Sequence, residues 1–278
     1  MTITAQVICD STSPAGTRIT TLQLRYPKFI HGEFMTHRAF SRNASSSRAI
    51  PVKRMIEDIQ RDPAMPVFWG SNKPGMQAGE EVFDKETVRD LWLISRDEAI
   101  SHVEELVDFG LHKQIANRIL EPWCHINVVV TATDWSNFFA LRRHKNAQPE
   151  MRVLADRIWE AMQVSVPTVV GTGSWHLPYI TEEDFSLRKG DDLIVMSVAR
   201  CARVSYMTHE MKKPTFSEDR KLYDRLVNAF PMHASPAEHQ ATPDDREITP
   251  SFWGNFHHWR QYRKTLLGES ISEYPLNE

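Results

Sequence analysis

Thr36-His-Arg-Ala-Phe-Ser-Arg-Asn-Ala-Ser-Ser-Ser-Arg48 is the stretch on which the reading of this chain turns. Four serines, an asparagine and three arginines in thirteen positions are too polar for a core segment, so the stretch reads as a loop. Ser45, Ser46 and Ser47 offer hydroxyls and, in a turn, successive backbone N–H groups. Arg38 and Arg48 offer planar forks that match an oxyanion or phosphate. The glycine spacing of a Walker loop or a dinucleotide fingerprint is absent, so the loop would take a nucleotide held in another way. A solvated surface turn is the plainer alternative.

Working outward, Ile19 to Tyr26 reads as a strand stopped by Pro27, and the proline-rich residues 61–80 read as an ordered loop carrying Phe68, Trp69 and Met76. Val88, Leu91, Trp92, Ser95, Ala99, Val103 and Leu106 recur at helical spacing, predicting a helix from about Lys85 to Phe109 ended by Gly110. A shorter helix is expected from Leu111 to Leu120, before Pro122. Ile126 to Thr131 is β-branched and fits a strand or a buried stretch between helices. Further helices are expected near 133–144, 149–163, 192–203 and 217–230. The loop at 168–192 is the candidate internal boundary of a single domain covering 1–278.

The 278 residues are 41% hydrophobic and 25% charged, which excludes a disordered chain or a collagen-like repeat. A net charge of −3 gives no global field for nucleic acid. No apolar run reaches the roughly 18 residues of a membrane span, and the first residues lack the basic region of a signal peptide. Three scattered cysteines, Cys9, Cys124 and Cys201, fit a reducing compartment better than a disulfide scaffold. A cytoplasmic globular protein, with neither membrane nor nucleic acid as partner, is the expectation.

Other residues could carry chemistry. His233, Glu238 and His239 cluster, but their spacing is not that of a zinc helix and Pro236 interrupts them, so no metal is expected and a polar cofactor is the better ligand. Cys124 beside His125 could be a nucleophile, yet adjacent residues usually point apart and free cysteine is commonly buried, so a structural thiol is favoured. Arg118 and Arg142 lie in apolar surroundings and each needs a carboxylate or an anionic ligand; Arg143 reads as a surface residue. Phe252, Trp253, Phe256, Trp259 and Tyr262, with Arg260, Arg263 and Lys264, could stack a single-stranded nucleic acid, although so large an apolar load suits core or subunit interface better. Gln261-Tyr-Arg263 also echoes Thr36-His-Arg38.

These pieces together resemble the flavin-dependent thymidylate synthase family, also called thymidylate synthase complementing proteins. Its signature runs Arg-His-Arg, two residues, Ser, one residue, Asn-Glu, one residue, Ser, one residue, Arg. Here His37, Arg38, Ser41, Asn43, Ser46 and Arg48 keep register, while Thr36 and Ala44 stand where the family has Arg and Glu. Cys201-Ala-Arg-Val-Ser205 and His233-Ala-Ser-Pro-Ala-Glu-His239 are similar to the family's Ala-Ala-Arg-Val-Ser and His-Glu-Thr-Pro-Phe-Glu-His. Asn117-Arg-Ile-Leu-Glu-Pro122 and Ser136-Asn-Phe-Phe-Ala-Leu-Arg142 resemble Ala-Arg-Ile-Val-Leu-Pro and Met-Asn-Phe-Leu-Asn-Leu-Arg. In the family the His…Glu-His block precedes the arginine signature; here it follows, so the chain looks circularly permuted. A C-terminal copy would then supply Arg263 and Glu269 in place of the residues lost at Thr36 and Ala44.

The resemblance implies an α/β (α+β) fold, helices on a mostly antiparallel sheet, in a homotetramer with shared active sites. It implies FAD as cofactor, held by residues matching His37, Arg38, Asn137, Ser235, Glu238 and Arg263. A deoxypyrimidine monophosphate would be bound by Ser46, Ser47, Arg48, Arg118, Arg142 and Glu269. Arg142, His233 and Arg48 would act on the reacting base. Methylenetetrahydrofolate would supply the carbon and NADPH the reducing power, converting dUMP to dTMP without an enzyme nucleophile. The departures leave hydroxymethylation of dUMP or dCMP for modified DNA, or an inactive nucleotide-binding scaffold, as alternatives.

Overall fold

The computed structural model describes residues 3–204 and 214–269. Strands β1 (Thr4–Thr12), β2 (Arg18–Pro27), β3 (Ser41–Ala44), β4 (His125–Ala132) and β5 (Thr168–Val169) form one sheet in the order β3-β4-β2-β1-β5. Every pairing is antiparallel except β1 with β5. A second, two-stranded sheet pairs β6 (Ala241–Pro243) with β7 (Trp259–Gln261). The helices are α1 (His31–Phe34), α2 (Val52–Arg61), α3 (Lys85–Asp108), α4 (Lys113–Ile119), α5 (Ser136–Arg142), α6 (Pro149–Val164), α7 (Glu182–Leu187), α8 (Asp191–Arg203) and α9 (Phe216–Val227). None of them is long and apolar enough to cross a membrane.

The period of two along a strand sorts the central sheet into unlike faces. Leu22, Leu24 and Tyr26 of β2 with Val128 and Val130 of β4 meet Met151, Leu154 and Ile158 of α6 in the main core. On the opposite face Thr21 and Thr131 are fully buried and hydrogen-bond each other at 2.6 Å. Thr21 Oγ1 also meets His176 Nε2, and Thr131 Oγ1 meets His239 Nδ1, each at 2.8 Å. The outer nitrogen His176 Nδ1 reaches Ser11 Oγ at 2.8 Å. This wire of hydroxyls and imidazoles satisfies polar groups that a sheet buried on both faces would otherwise strand.

Helix α8 is buried from Leu193 through Ala202 and packs on α9 in a second core. Arg200 inside it is tolerated because its guanidinium makes four hydrogen bonds: Nη1 and Nη2 donate to Asp184, Nε to Asp219, and Nη1 also to the Tyr179 carbonyl. A third core joins α2, α3 and α4 through Met55, Ile59, Ile100, Val103 and Leu120.

The polar segment that opens the sequence reading departs from the expected loop. Residues 41–44 pair with Val128–Thr131 of β4 as an edge strand, and Ser41 and Asn43 are buried. Their polar side chains find partners there: Ser41 Oγ donates to Asn255 Oδ1 at 3.0 Å, and Asn43 Nδ2 to the Cys201 carbonyl at 3.4 Å. Ser205, the last residue of the Cys201 block, lies outside the described residues.

Candidate active site

Three groups of the expected site residues line up along β3 and the turn that follows it. At its amino-terminal end, Arg142 at the close of α5 donates from Nε to His37 Nε2 at 2.8 Å and from Nη2 to Thr36 Oγ1 at 3.3 Å. A guanidinium only donates, so Nε2 of His37 is the acceptor and its ring proton sits on Nδ1. Burial, with Arg142 and Arg42 nearby, pushes the His37 pKa down to about 4, which keeps the ring neutral. Phe138, at 4.9 Å and edge-on, fixes its plane. The Thr36 hydroxyl accepts from Arg142, a contact that an arginine at that position could not make.

At the other end, the Ser45–Arg48 turn lies against α4. Ser45 Oγ accepts from the Asn127 N–H at 3.1 Å. Ser47 is buried and its hydroxyl donates to Glu121 Oε1 at 2.7 Å, so this serine serves the turn itself. Ser46 is half-buried and Arg48 is exposed. Arg118 donates from Nη1 to Glu121 at 3.0 Å, but its side chain is exposed rather than set in the apolar surroundings expected, so solvent also serves its charge. Arg38 is exposed as well, and neither it nor Arg48 has an ion pair among the described residues.

The third group comes from the carboxyl-terminal part. Arg263 pairs with Glu238 through Nη1 and with Glu269 through Nε, the latter at 2.8 Å, while Lys264 meets Glu269 at 2.6 Å. Gln261 carries this group onto β3, donating from Nε2 to Ser41 Oγ and to the Glu238 carbonyl, each at 3.0 Å. Glu238 also acts electrostatically on Arg42 of β3. His233 and Ser235 are exposed near Glu238, and Asn137 is exposed on α5. His233, Glu238 and His239 point to three different places: solvent, Arg263 and Thr131.

Sequence reasoning overlooked Lys28, Arg42, Asn117, Glu121 and Gln261. The available signal was a single carboxylate or amide within apolar runs, as in Asn117-Arg-Ile-Leu-Glu-Pro122. Of the aromatics near the carboxyl terminus, Phe256 and Trp259 are core, with Trp259 Nε1 donating to the Thr17 carbonyl at 3.1 Å.

The family model described as thymidylate synthase complementing protein matches residues 9–168, more than half of the chain. This chain belongs to the thymidylate synthase complementing protein family. It is therefore an enzyme that modifies C5 of a pyrimidine nucleotide. The match takes in the Thr36–Arg48 stretch and the Arg118 and Arg142 blocks, and the His233 block lies beyond it. Among solved structures, a UMP/dUMP methylase PolB from Streptomyces cacaoi bound with 5-Br dUMP is similar at 18% identity and a TM-score of 0.48, over 58% of this chain and 89% of that one. The same methylase bound with 5-Br UMP is similar at 19% identity and a TM-score of 0.46, over 58% of this chain and 88% of that one. No curated protein matches the sequence.

In this family member Cys124 is buried, and its thiol donates to the Leu120 carbonyl at 3.2 Å. Burial pushes the thiol pKa up to about 12, which suppresses the nucleophilic thiolate. Its neighbour His125 turns away to Arg25, so the two make no dyad. Cys124→Ser should leave turnover within about twofold of wild type, because a hydroxyl can keep the bond to Leu120. Abolished turnover in a folded Cys124→Ser protein would make the thiol a reacting group.

Proposed function

We propose that the enzyme moves a one-carbon unit from methylenetetrahydrofolate to C5 of a deoxypyrimidine monophosphate, dUMP to dTMP, with FAD as cofactor and NADPH as reductant. The observation that carries this reading is the Ser45–Arg48 turn: a serine-rich bend with a half-buried Ser46 and an Arg48 without an ion pair among the described residues. Arg48 and Ser46 would take the nucleotide phosphate, with Ser47 holding the turn and Arg118 beside it. Arg142, fixed by His37 and Thr36, would place positive charge against the pyrimidine carbonyl where negative charge develops.

The donor set suits a flavin as well. Arg38 offers a cation for the pyrophosphate, and the exposed Asn137, Ser235 and His233 offer further polar groups. Glu238 and Arg263 hold each other where they could orient the flavin. The bound flavin would supply the redox step that completes the methyl group. Arg263 and Glu269 would replace the pair lost at Thr36 and Ala44 in a circularly permuted chain, and a homotetramer would complete the site.

The test is an absorbance spectrum of the purified protein with FAD, titrated with dUMP and then with dCMP. A bound-flavin spectrum that dUMP perturbs is the expected result, followed by a product 14 mass units heavier than dUMP once the folate and NADPH are added, the mass of one CH2. A hydroxymethylated product, or a response to dCMP alone, selects the alternative chemistry; a free-flavin spectrum throughout overturns the reading. Arg48→Ala should weaken dUMP binding by about 2 kcal/mol, roughly thirtyfold, through loss of a charge-assisted phosphate contact. Unchanged affinity removes Arg48 from the site.

A further inference from the structure

Glu121 and Asn117 sit behind the Ser45–Arg48 turn on the same stretch of chain, where the resembling family block has leucine and alanine. One carboxylate oxygen, Glu121 Oε1, collects three donors: Lys28 Nζ at 2.5 Å, Ser47 Oγ at 2.7 Å and Arg118 Nη1 at 3.0 Å. Asn117 is fully buried, and its Nδ2 donates to the carbonyls of Ser47 at 2.7 Å and Ile50 at 2.9 Å. The turn is thus held by its side chain from one residue and by its backbone from the other. Asn117 lies in the last turn of α4 and Glu121 opens the 3-10 turn that follows it directly, so four residues of continuous helical backbone relate the two grips.

We propose that Glu121 and Asn117 are positioning residues that preset the Ser45–Arg48 turn and Arg118 for the phosphate of the nucleotide, with Lys28 as the cation that anchors Glu121. This rests on the nucleotide reading given above. The physical logic is preorganisation: three polar residues are ordered before the ligand arrives, so binding does not bear the cost of ordering them. Electrostatics alone would give Glu121 the opposite role. A carboxylate beside Arg118 and Lys28 competes with an incoming phosphate for both cations, so neutralising it should tighten anion binding. The sign of the change therefore separates a clamp from a competing anion. Burial opposes the charge on Glu121, but the bonds from Lys28 and Ser47 outweigh it and hold the carboxyl below the usual range, so the clamp is closed at neutral pH.

The experiment uses the full chain with FAD and three variants, Glu121→Gln, Glu121→Asp and Asn117→Ala. In the free protein, amide hydrogen exchange is followed at Ala49 and Ile50, whose N–H groups donate to the Ser46 and Ser47 carbonyls at 3.0 and 3.3 Å. Exchange there should rise at least tenfold in Glu121→Gln and Asn117→Ala and fall back toward wild type in Glu121→Asp. With dUMP as probe, Glu121→Gln should raise KM and Kd about tenfold with kcat at saturation held within twofold, and Glu121→Asp should restore most of the affinity. Unaltered exchange overturns the clamp, as does a dUMP affinity that is unchanged or tighter in Glu121→Gln. A wild-type protein that binds no dUMP overturns the nucleotide reading instead, and the exchange comparison still decides whether the turn is clamped.

Discussion

Lowering the pH from 7 to 5 is expected to remove on the order of 4 kcal/mol of folding free energy through two histidines alone. Burial pushes the pKa values of His176 and His239 down to about 3, with Asp10 opposing the shift at His176 and His176 reinforcing it at His239. An unfolded histidine titrates near 6.5, so below that value the unfolded chain binds protons that the folded chain refuses. For a group of lowered folded pKa that is neutral when deprotonated, stability is complete above the unfolded value and drains as the pH falls towards the folded one. Two such rings give a slope of roughly 2.7 kcal/mol per pH unit in the middle of that window. Urea unfolding at pH 7, 6 and 5 reads the slope directly. His239→Leu should lower it by about 1.4 kcal/mol per pH unit, one ring's share, since Thr131 keeps its bond to Thr21. A midpoint that does not move between pH 7 and 5 would mean that both imidazoles are charged inside the protein.

Arg200→Leu should be comparably damaging at neutral pH, costing about 3–5 kcal/mol and lowering the melting temperature by roughly 10 °C. The loss would come from charge, because two carboxylates would stay behind without the guanidinium that joins them. Asp184 and Asp219 are both buried, and without the guanidinium Asp184 loses two bonds and Asp219 one. Arg203 continues to reach Asp219 at 3.0 Å. Arg200→Lys should fall between the two, because it restores a charge without the fork that meets Asp184 and Asp219 together. Wild-type melting in Arg200→Leu would show that the two carboxylates are held by something other than this arginine.

Legibility in the sequence followed where burial was apolar. Helix α3 was visible in Trp92, Ala99 and Val103, and β4 in its run of valines, because those side chains face a core directly. Strand β3 was invisible for the opposite reason. Ser41 and Asn43 are buried through bonds to Asn255, Gln261 and the Cys201 backbone, partners more than 150 positions away that no local pattern can announce. Helix α2 had a readable stripe in Met55, Ile56 and Ile59 behind Pro51, and was passed over beside the more conspicuous serine run. The family blocks single out Arg118, Arg142 and Glu238, and the carboxyl-terminal echo singles out Arg263, but matching motifs carry nothing of what each side chain touches. Lys28, Glu121 and Asn117 are in the structure because of where α4 lands on the turn.

The hairpin of β6 and β7 reaches back across the chain in one direction only. Ser13 donates to Asp245, Trp259 to the Thr17 carbonyl, and Gln261 to Ser41, over sequence separations of 232, 242 and 220 residues. Contacts of that range are entropically expensive to close and form late on the folding route. Until residues 241–261 arrive, β2 and β3 have one buried side waiting for its polar partners, while the apolar side can already close on α6. The face of the sheet turned to α6 can thus be completed by the first part of the chain, whereas the face that carries Ser41 and Ile19 is closed only by its last described stretch.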